Sequence, residues 1–216
     1  MKMSKMIRPV IIGITAALTL GTTVKAQDNV SLGPTAGFGH TWLSNSTNSK
    51  YQPAGNVGLA LVVSTETRFG FGADVKWSIE GGKTSTDNST TTTRLDYIRV
   101  PIKAMYFFGE LGNRVRPKIT LGPSLGFLVG GKQKYEVSDA LQTEVDSKDI
   151  ANSFDIGLNG SVGLNYRLVN KTWLNLDLNY YHGFSDVMKA DNLDMKNRNL
   201  GLNVGVTFGI GKVRPE

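Results

Sequence analysis

From residue 30 onward the chain alternates apolar and polar residues in steps of two, and few architectures accept that pattern. A two-residue period belongs to a β-strand whose two faces meet unlike surroundings. In the clearest stretch, Phe69, Phe71, Ala73, Val75, Trp77 and Ile79 face one way. Gly70, Gly72, Asp74, Lys76, Ser78 and Glu80 face the other.

Seven further segments repeat the pattern. The first sets Val30, Leu32, Pro34, Ala36 and Phe38 against Ser31, Gly33, Thr35, Gly37 and Gly39. The second sets Val57, Leu59, Leu61 and Val63 against Asn56, Gly58, Ala60 and Ser64. The fourth runs Ile98, Val100, Ile102, Ala104, Tyr106 and Phe108 against Tyr97, Arg99, Pro101 and Lys103. The fifth runs from Ile119 to Val129, the sixth from Phe154 to Leu168, the seventh from Leu174 to Tyr180 and the eighth from Leu200 to Ile210. Eight such segments make an even antiparallel set, each near the roughly 9–11 residues that a tilted strand needs to cross a bilayer.

Period alone does not say which face meets lipid, because a soluble ligand-carrying barrel alternates too. Three features favour the membrane. The polar face is rich in glycine and carries charges of both signs: Asp74, Lys76, Glu80, Arg99, Lys103, Asp155, Arg167 and Asp177. The apolar face is almost free of charge. Aromatic residues gather at segment ends, with Phe38, Trp42, Trp77, Phe154 and Phe184 at one end. Phe69, Tyr106, Phe108, Tyr166, Trp173 and Phe208 stand at the other, as in two interfacial girdles.

Connections also alternate in length. Long polar ones fall near 43–53, 81–93, 131–152 and 185–197, and short ones near 64–68, 109–115 and 169–171. Ser44 to Ser49 and Thr84 to Thr93 are polar runs that read as loops. The expected fold is all-β: an eight-stranded antiparallel up-and-down barrel spanning the bacterial outer membrane. The loop rhythm places both termini on the periplasmic side.

The first 26 residues read as an export signal. Lys2, Lys5 and Arg8 precede the apolar run Val10 to Leu20, and Val24-Lys25-Ala26 forms a small-x-small cleavage site. The expected division is therefore a signal peptide over 1–26 and a barrel domain over 27–216. Four of the 24 basic residues leave with the signal and no acid does, so the mature chain carries 20 basic and 18 acidic residues. That balance gives no case for nucleic-acid binding. There is no cysteine, which excludes disulfides and thiolate metal sites.

Two stretches carry a family resemblance. Tyr97-Ile98-Arg99-Val100-Pro101-Ile102-Lys103 resembles the Tyr-Ile-x-Ile-Pro strand of the PorT-like outer-membrane β-barrel family of Bacteroidota-type bacteria. Leu121-Gly122-Pro123-Ser124-Leu125-Gly126-Phe127-Leu128 is similar to that family's Gly-Pro-x-x-Gly strand. Arg99 stands where the family pattern has an acidic or amide residue, and Lys212 to Glu216 stand where outer-membrane barrels usually end on an aromatic. The resemblance implies an outer-membrane barrel and, through the founding member, an accessory role in protein secretion.

Catalytic and metal chemistry find little support. His40 and His182 are the chain's two histidines, and Ser185 and Asp186 lie close to His182 in sequence. Nucleophilic catalysis needs serine, histidine and acid within hydrogen-bond reach, and interfacial polar residues are the simpler reading. No cysteine or carboxylate spacing forms a metal site, so no cofactor is expected. The lumen charges are expected to pair, with Arg99, Lys103 and Arg167 among Asp74, Glu80, Asp155 and Asp177, because unpaired charges inside a narrow barrel are costly.

The expected partners are outer-membrane lipid and, through the loops, envelope or secretion-machine proteins. The favoured role is a non-enzymatic surface scaffold, with the long charged loop 131–152 as its contact. An accessory part of a secretion machine comes second, and a lipid-modifying enzyme a distant third.

Overall fold

The computed structural model describes residues 30–210 except 47, 66, 111, 139 and 191–193. The expected signal peptide and the tail from Lys212 lie outside the described residues. Eight long strands form the wall: β1 (Val30–Leu43), β3 (Gln52–Ser64), β4 (Phe69–Ser85), β5 (Ser89–Phe107), β6 (Val115–Gly130), β9 (Phe154–Val169), β10 (Thr172–Gly183) and β11 (Asn197–Gly209). Each pairs antiparallel with its sequence neighbour in the wall, and β1 pairs with β11 through Phe38–Leu202 and Leu32–Phe208. The ring is closed, so no wall strand leaves an unpaired edge.

The faces divide as the alternation predicts. Along β4, Phe71, Val75 and Trp77 are exposed while Gly72, Asp74, Lys76, Ser78 and Glu80 are buried. Phe38 is 68 % exposed and Val162 56 %, while Arg99 is 5 % exposed and Asp155 fully buried. Exposed apolar residues continue around the whole wall, far beyond the few hundred Å² of apolar patch that a water-soluble monomer shows. The outward face therefore meets lipid and the inward face fills the lumen.

Short connections at one end, such as 65–68 and 170–171, contrast with long ones at the other. Much of the long-connection end is sheet, which corrects the reading of Thr84–Thr93 as loop: only 86–88 connect the two strands there. β4 and β5 continue as a ladder from Gly81–Arg94 to Ser85–Thr90. Two further strands, β7 (Lys132–Val137) and β8 (Ala140–Asp146), form a hairpin that pairs with β5 through Ser89–Thr93. The two-residue strand β2 (Ser49–Lys50) adds to β4, and one helical turn, α1 (Ser147–Ile150), follows the hairpin. Threonine is β-branched and stable in a paired strand, so a Thr-rich run reads as loop only while its partner is unknown.

The wall bends into this projecting sheet at one level. Gly81 and Gly131 adopt φ of 121° and 122°, and the β5–β6 register shifts between Asp96 and Tyr97. A Cβ at Gly81 would lie 2.0 Å from the Thr93 carbonyl oxygen, and one at Gly131 2.1 Å from that of Arg94. Both positions thus require glycine, for backbone angle and for space.

Candidate functional site

The lumen is layered, with an apolar plug at each mouth and charge between. At the long-connection end Leu43, Leu95, Tyr97, Ala151 and Val187 pack together, backed by Leu128, Met188 and Met195. Val187 comes from the connection after β10, whose backbone bridges Met188 to Ala151. At the short-turn end Val62, Met105 and Phe107 pack inside the wall, with the Arg116 guanidinium 3.9 Å from the Phe107 ring centroid. These apolar residues have the inward parity of their strands, an exception to the polar face expected there.

Between the plugs lie two ionic groups. In the upper one, Arg99 Nε donates to Glu80 Oε1 at 2.9 Å and its Nη2 bonds both Glu80 and Asp155, the latter at 2.9 Å. Asp155 Oδ2 also accepts from Tyr181 Oη (3.0 Å) and Asn197 Nδ2 (3.0 Å), and its Oδ1 from Ser185 Oγ (2.6 Å). The Arg99 guanidinium lies 4.1 Å from the Tyr181 ring centroid and 5.0 Å from that of Tyr97. One cation between two carboxylates is thus held by charge, by hydrogen bonds and by two aromatic faces, as a buried charge must be.

In the lower group, Asp74 receives Lys103 Nζ at 2.7 Å and Lys76 Nζ at 3.4 Å. Lys118 Nζ pairs with Asp177 at 3.0 Å, and Ser161 links Asp177 to Thr120. A reciprocal amide pair, Asn56 with Asn203, closes over Gly37 of the strand between them, at a level between the groups. Chambers of about 40 and 20 Å³ remain on either side of it. Arg99 Nη1 and Ser124 Oγ, which have no hydrogen-bond partner among the described residues, border the larger chamber, which is polar and roomy enough for water.

Seven of the eight charges named from sequence lie in these two groups: Asp74, Lys76, Glu80, Arg99, Lys103, Asp155 and Asp177. Arg167 does not, and its expected place is corrected. It sits at the short-turn mouth opposite Trp173, with its guanidinium 5.9 Å from that ring. It is one strand residue pair too far from the lower acids, since Asn165 already fills the intervening inward position. Trp173 shares that inward parity, so it does not belong to the outer girdle.

Sequence reasoning missed Lys118, Arg116, Tyr181, Ser185 and Asn197. Lys118 carried a usable signal, since it occupies the polar parity of segment five. Ser185 and Asn197 lie at strand ends, where parity says little about contacts.

The residues considered for nucleophilic chemistry are engaged elsewhere. Ser185 Oγ donates to Asp155 and accepts from the Ile156 amide, and Asp186 Oδ1 accepts the Met188 and Met195 amides. His182 Nδ1 lies 3.5 Å from Tyr180 Oη on the outward face. Among the described residues no group of three metal-ligating side chains occurs.

The projecting sheet is the other candidate surface. Lys132 is hydrogen-bonded to Glu144 across the β7–β8 pair, and Lys134 lies 3.5 Å from the same carboxylate. That bond raises the Lys132 ammonium above its ordinary range and holds the Glu144 carboxyl below the usual one. Arg94 and Asp96 form a further pair at 2.8 Å. A surface groove of about 590 Å³ runs between these residues and Gln52.

The model of the outer membrane protein beta-barrel domain matches residues 25–189. Neisserial surface protein A superposes with a TM-score of 0.53 at 14 % identity, covering 84 % of this chain and 97 % of that one. The N-terminal β-barrel domain of Pseudomonas aeruginosa OprF aligns with a TM-score of 0.44 at 14 % identity, over 84 % and 98 % of the two chains. Ail, the attachment invasion locus protein of Yersinia pestis, aligns with a TM-score of 0.45 at 14 % identity, over 82 % and 98 %. At these identities the likeness to the neisserial barrel speaks for the fold alone. No curated protein matches in sequence.

Proposed function

The chain belongs to the outer membrane protein beta-barrel domain family, and on that footing we propose that it is a non-enzymatic surface scaffold that contacts a partner through its projecting sheet. The observation that carries this reading is the contrast between a filled lumen and a sheet that continues past the wall as β4, β5, β7 and β8. A barrel plugged at both mouths offers no path for solute, and a hairpin built on rigid strands offers a defined surface for binding. The loop rhythm supports both termini in the periplasm and the projecting sheet outside the cell.

Replacing Gln133–Val145 by a short Gly/Ser turn tests the proposal. The barrel should still migrate as a heat-modifiable band, while crosslinking in cells should lose the partner seen with the full chain. Unchanged crosslinks would remove the basis for this role.

The resemblance of two stretches to PorT-like barrels motivates a second reading, an accessory part of a secretion or assembly machine. The two stretches that carry the resemblance lie side by side, with Tyr97 against Leu128, Arg99 against Gly126 and Pro101 against Ser124. Crosslinks from the short turns to a periplasmic partner would favour this reading, and crosslinks confined to the hairpin would count against it.

A further inference from the structure

Three cross-strand rows on the outward face of β1, β11 and β10 change character step by step toward the long-connection end. The deepest row, Phe38–Leu202–Leu178, is wholly apolar. The next, His40–Leu200–Tyr180, adds an imidazole and a phenol, and the last, Trp42–Arg198–His182, is cationic and aromatic. Successive rows are two residues apart, about 7 Å along a strand. Within some 14 Å the surface thus passes from hydrocarbon-like to headgroup-like.

The rings form one continuous ladder. His40 stacks on Trp42 (5.1 Å between centroids) and on Tyr51 (5.0 Å), and Trp42 reaches Tyr180 at 6.3 Å. Tyr180 meets His182 at 6.2 Å, and His182 meets Phe184 at 5.6 Å. Both histidines of the chain stand in this ladder.

Arg198 sits in the middle of the last row. Its Nη1 donates to the carbonyls of Gly183 (2.7 Å) and Asn197 (2.9 Å), which hold the guanidinium in place. It makes no ion pair among the described residues. Arg94, the outward cation of β5, is by contrast paired with Asp96, and the acid nearest Arg198 in sequence, Asp194, is held by Lys196 at 2.7 Å. The row therefore offers a positioned cation that no described acid neutralises, over rings that cover acyl chain.

We propose that the Trp42–Arg198–His182 row binds the phosphate of a phosphorylated lipid in the outer leaflet. The proposal rests on the orientation given above, with the long-connection end outside. A guanidinium pairs with phosphate through two parallel N–H···O bonds, and interfacial rings pack against the first carbons of the acyl chains. The ligand is a lipid rather than free phosphate because the two deeper rows provide apolar contact in register below the cation.

The test uses the full barrel in neutral detergent, titrated by native mass spectrometry with diphosphoryl lipid A, with its dephosphorylated form and with inorganic phosphate. The wild type should bind the phosphorylated lipid about tenfold more tightly than the dephosphorylated one, the scale of a charge-assisted pair. Arg198→Gln should erase that preference, Arg198→Lys should restore part of it, and Arg94→Gln should leave it intact.

Equal binding of the two lipids by the wild type would overturn the site without any variant. Binding of inorganic phosphate as strong as that of the lipid would overturn the lipid assignment. Flotation of the wild type with phosphatidylcholine vesicles separates the two layers of the argument. A barrel that floats without phosphate preference sinks this site alone, and one that does not float sinks the membrane placement beneath it.

Discussion

Gly126 stands directly opposite Arg99 on the neighbouring strand, and a Cβ at Gly126 would fall 2.8 Å from Arg99 Nη1. The glycine is the space into which the guanidinium folds. The same relationship recurs across the wall. Gly58 opposes Lys76, Gly72 opposes Lys103, and Gly163 opposes both Asp177 and Lys118. A narrow barrel cannot hold a long charged side chain at every inward position, so these large groups borrow the volume of a glycine beside them.

Filling that space should loosen the lumen. Gly126→Leu is expected to push Arg99 from its carboxylates and cost about 1–3 kcal/mol, as overpacking does. Gly55→Ala, where the nearest atom is 3.8 Å away, should change stability by less than about 0.5 kcal/mol. Urea unfolding of both variants in lipid vesicles would check the difference.

Removing the upper cation should cost more than removing the whole ionic group. Arg99→Met leaves Glu80 and Asp155 buried without their cation, a loss of about 3–5 kcal/mol. Adding Glu80→Gln and Asp155→Asn should recover part of it, since neutral amides need no counter-charge. A triple variant no more stable than Arg99→Met alone would show that charge pairing is not what holds this layer.

Glu144 provides a pH-dependent signature on the hairpin. Its carboxyl is held below the ordinary range by the hydrogen bond from Lys132, so the bond supports the hairpin above that ordinary range. The support fades as pH falls through the lowered value. NMR titration should place Glu144 below an ordinary glutamate, and Lys132→Gln should move it back up. The pair is solvent-exposed, so thermal stability of the barrel should not follow it.

The plugs predict electrical silence. With Val187 and Tyr97 closing one mouth and Phe107 the other, the intact barrel should give no large, stable conductance in planar bilayers. Steady openings of porin size would contradict the packing of both mouths.

Alternation made the wall legible, because Phe71 and Asp74 differ in parity whatever their partners are. It also marked Asp74, Lys103 and Asp177 as inward. What it could not reach was set by contacts distant in sequence. Thr84–Thr93 joined the sheet because β4 and β5 run on as a ladder beyond the wall and β7 pairs along Ser89–Thr93, and Val187 became a plug because its loop folds back over the mouth. Arg167 had the inward parity of the other charges, yet parity does not report depth, and it lies at the short-turn rim. Nearness to His182 in sequence says nothing about the contacts of Ser185, whose hydroxyl turns inward to Asp155.

The two-faced wall can be tested residue by residue, because the chain has no cysteine and single cysteines can be introduced one at a time. Spin labels placed at 71 through 78 on β4 in lipid vesicles should alternate. Positions 71, 73, 75 and 77 should collide with membrane-dissolved oxygen, while 72, 74, 76 and 78 should be shielded from it. The reverse alternation, or equal accessibility to a water-soluble relaxant on both faces, would contradict a closed barrel with its apolar face in lipid.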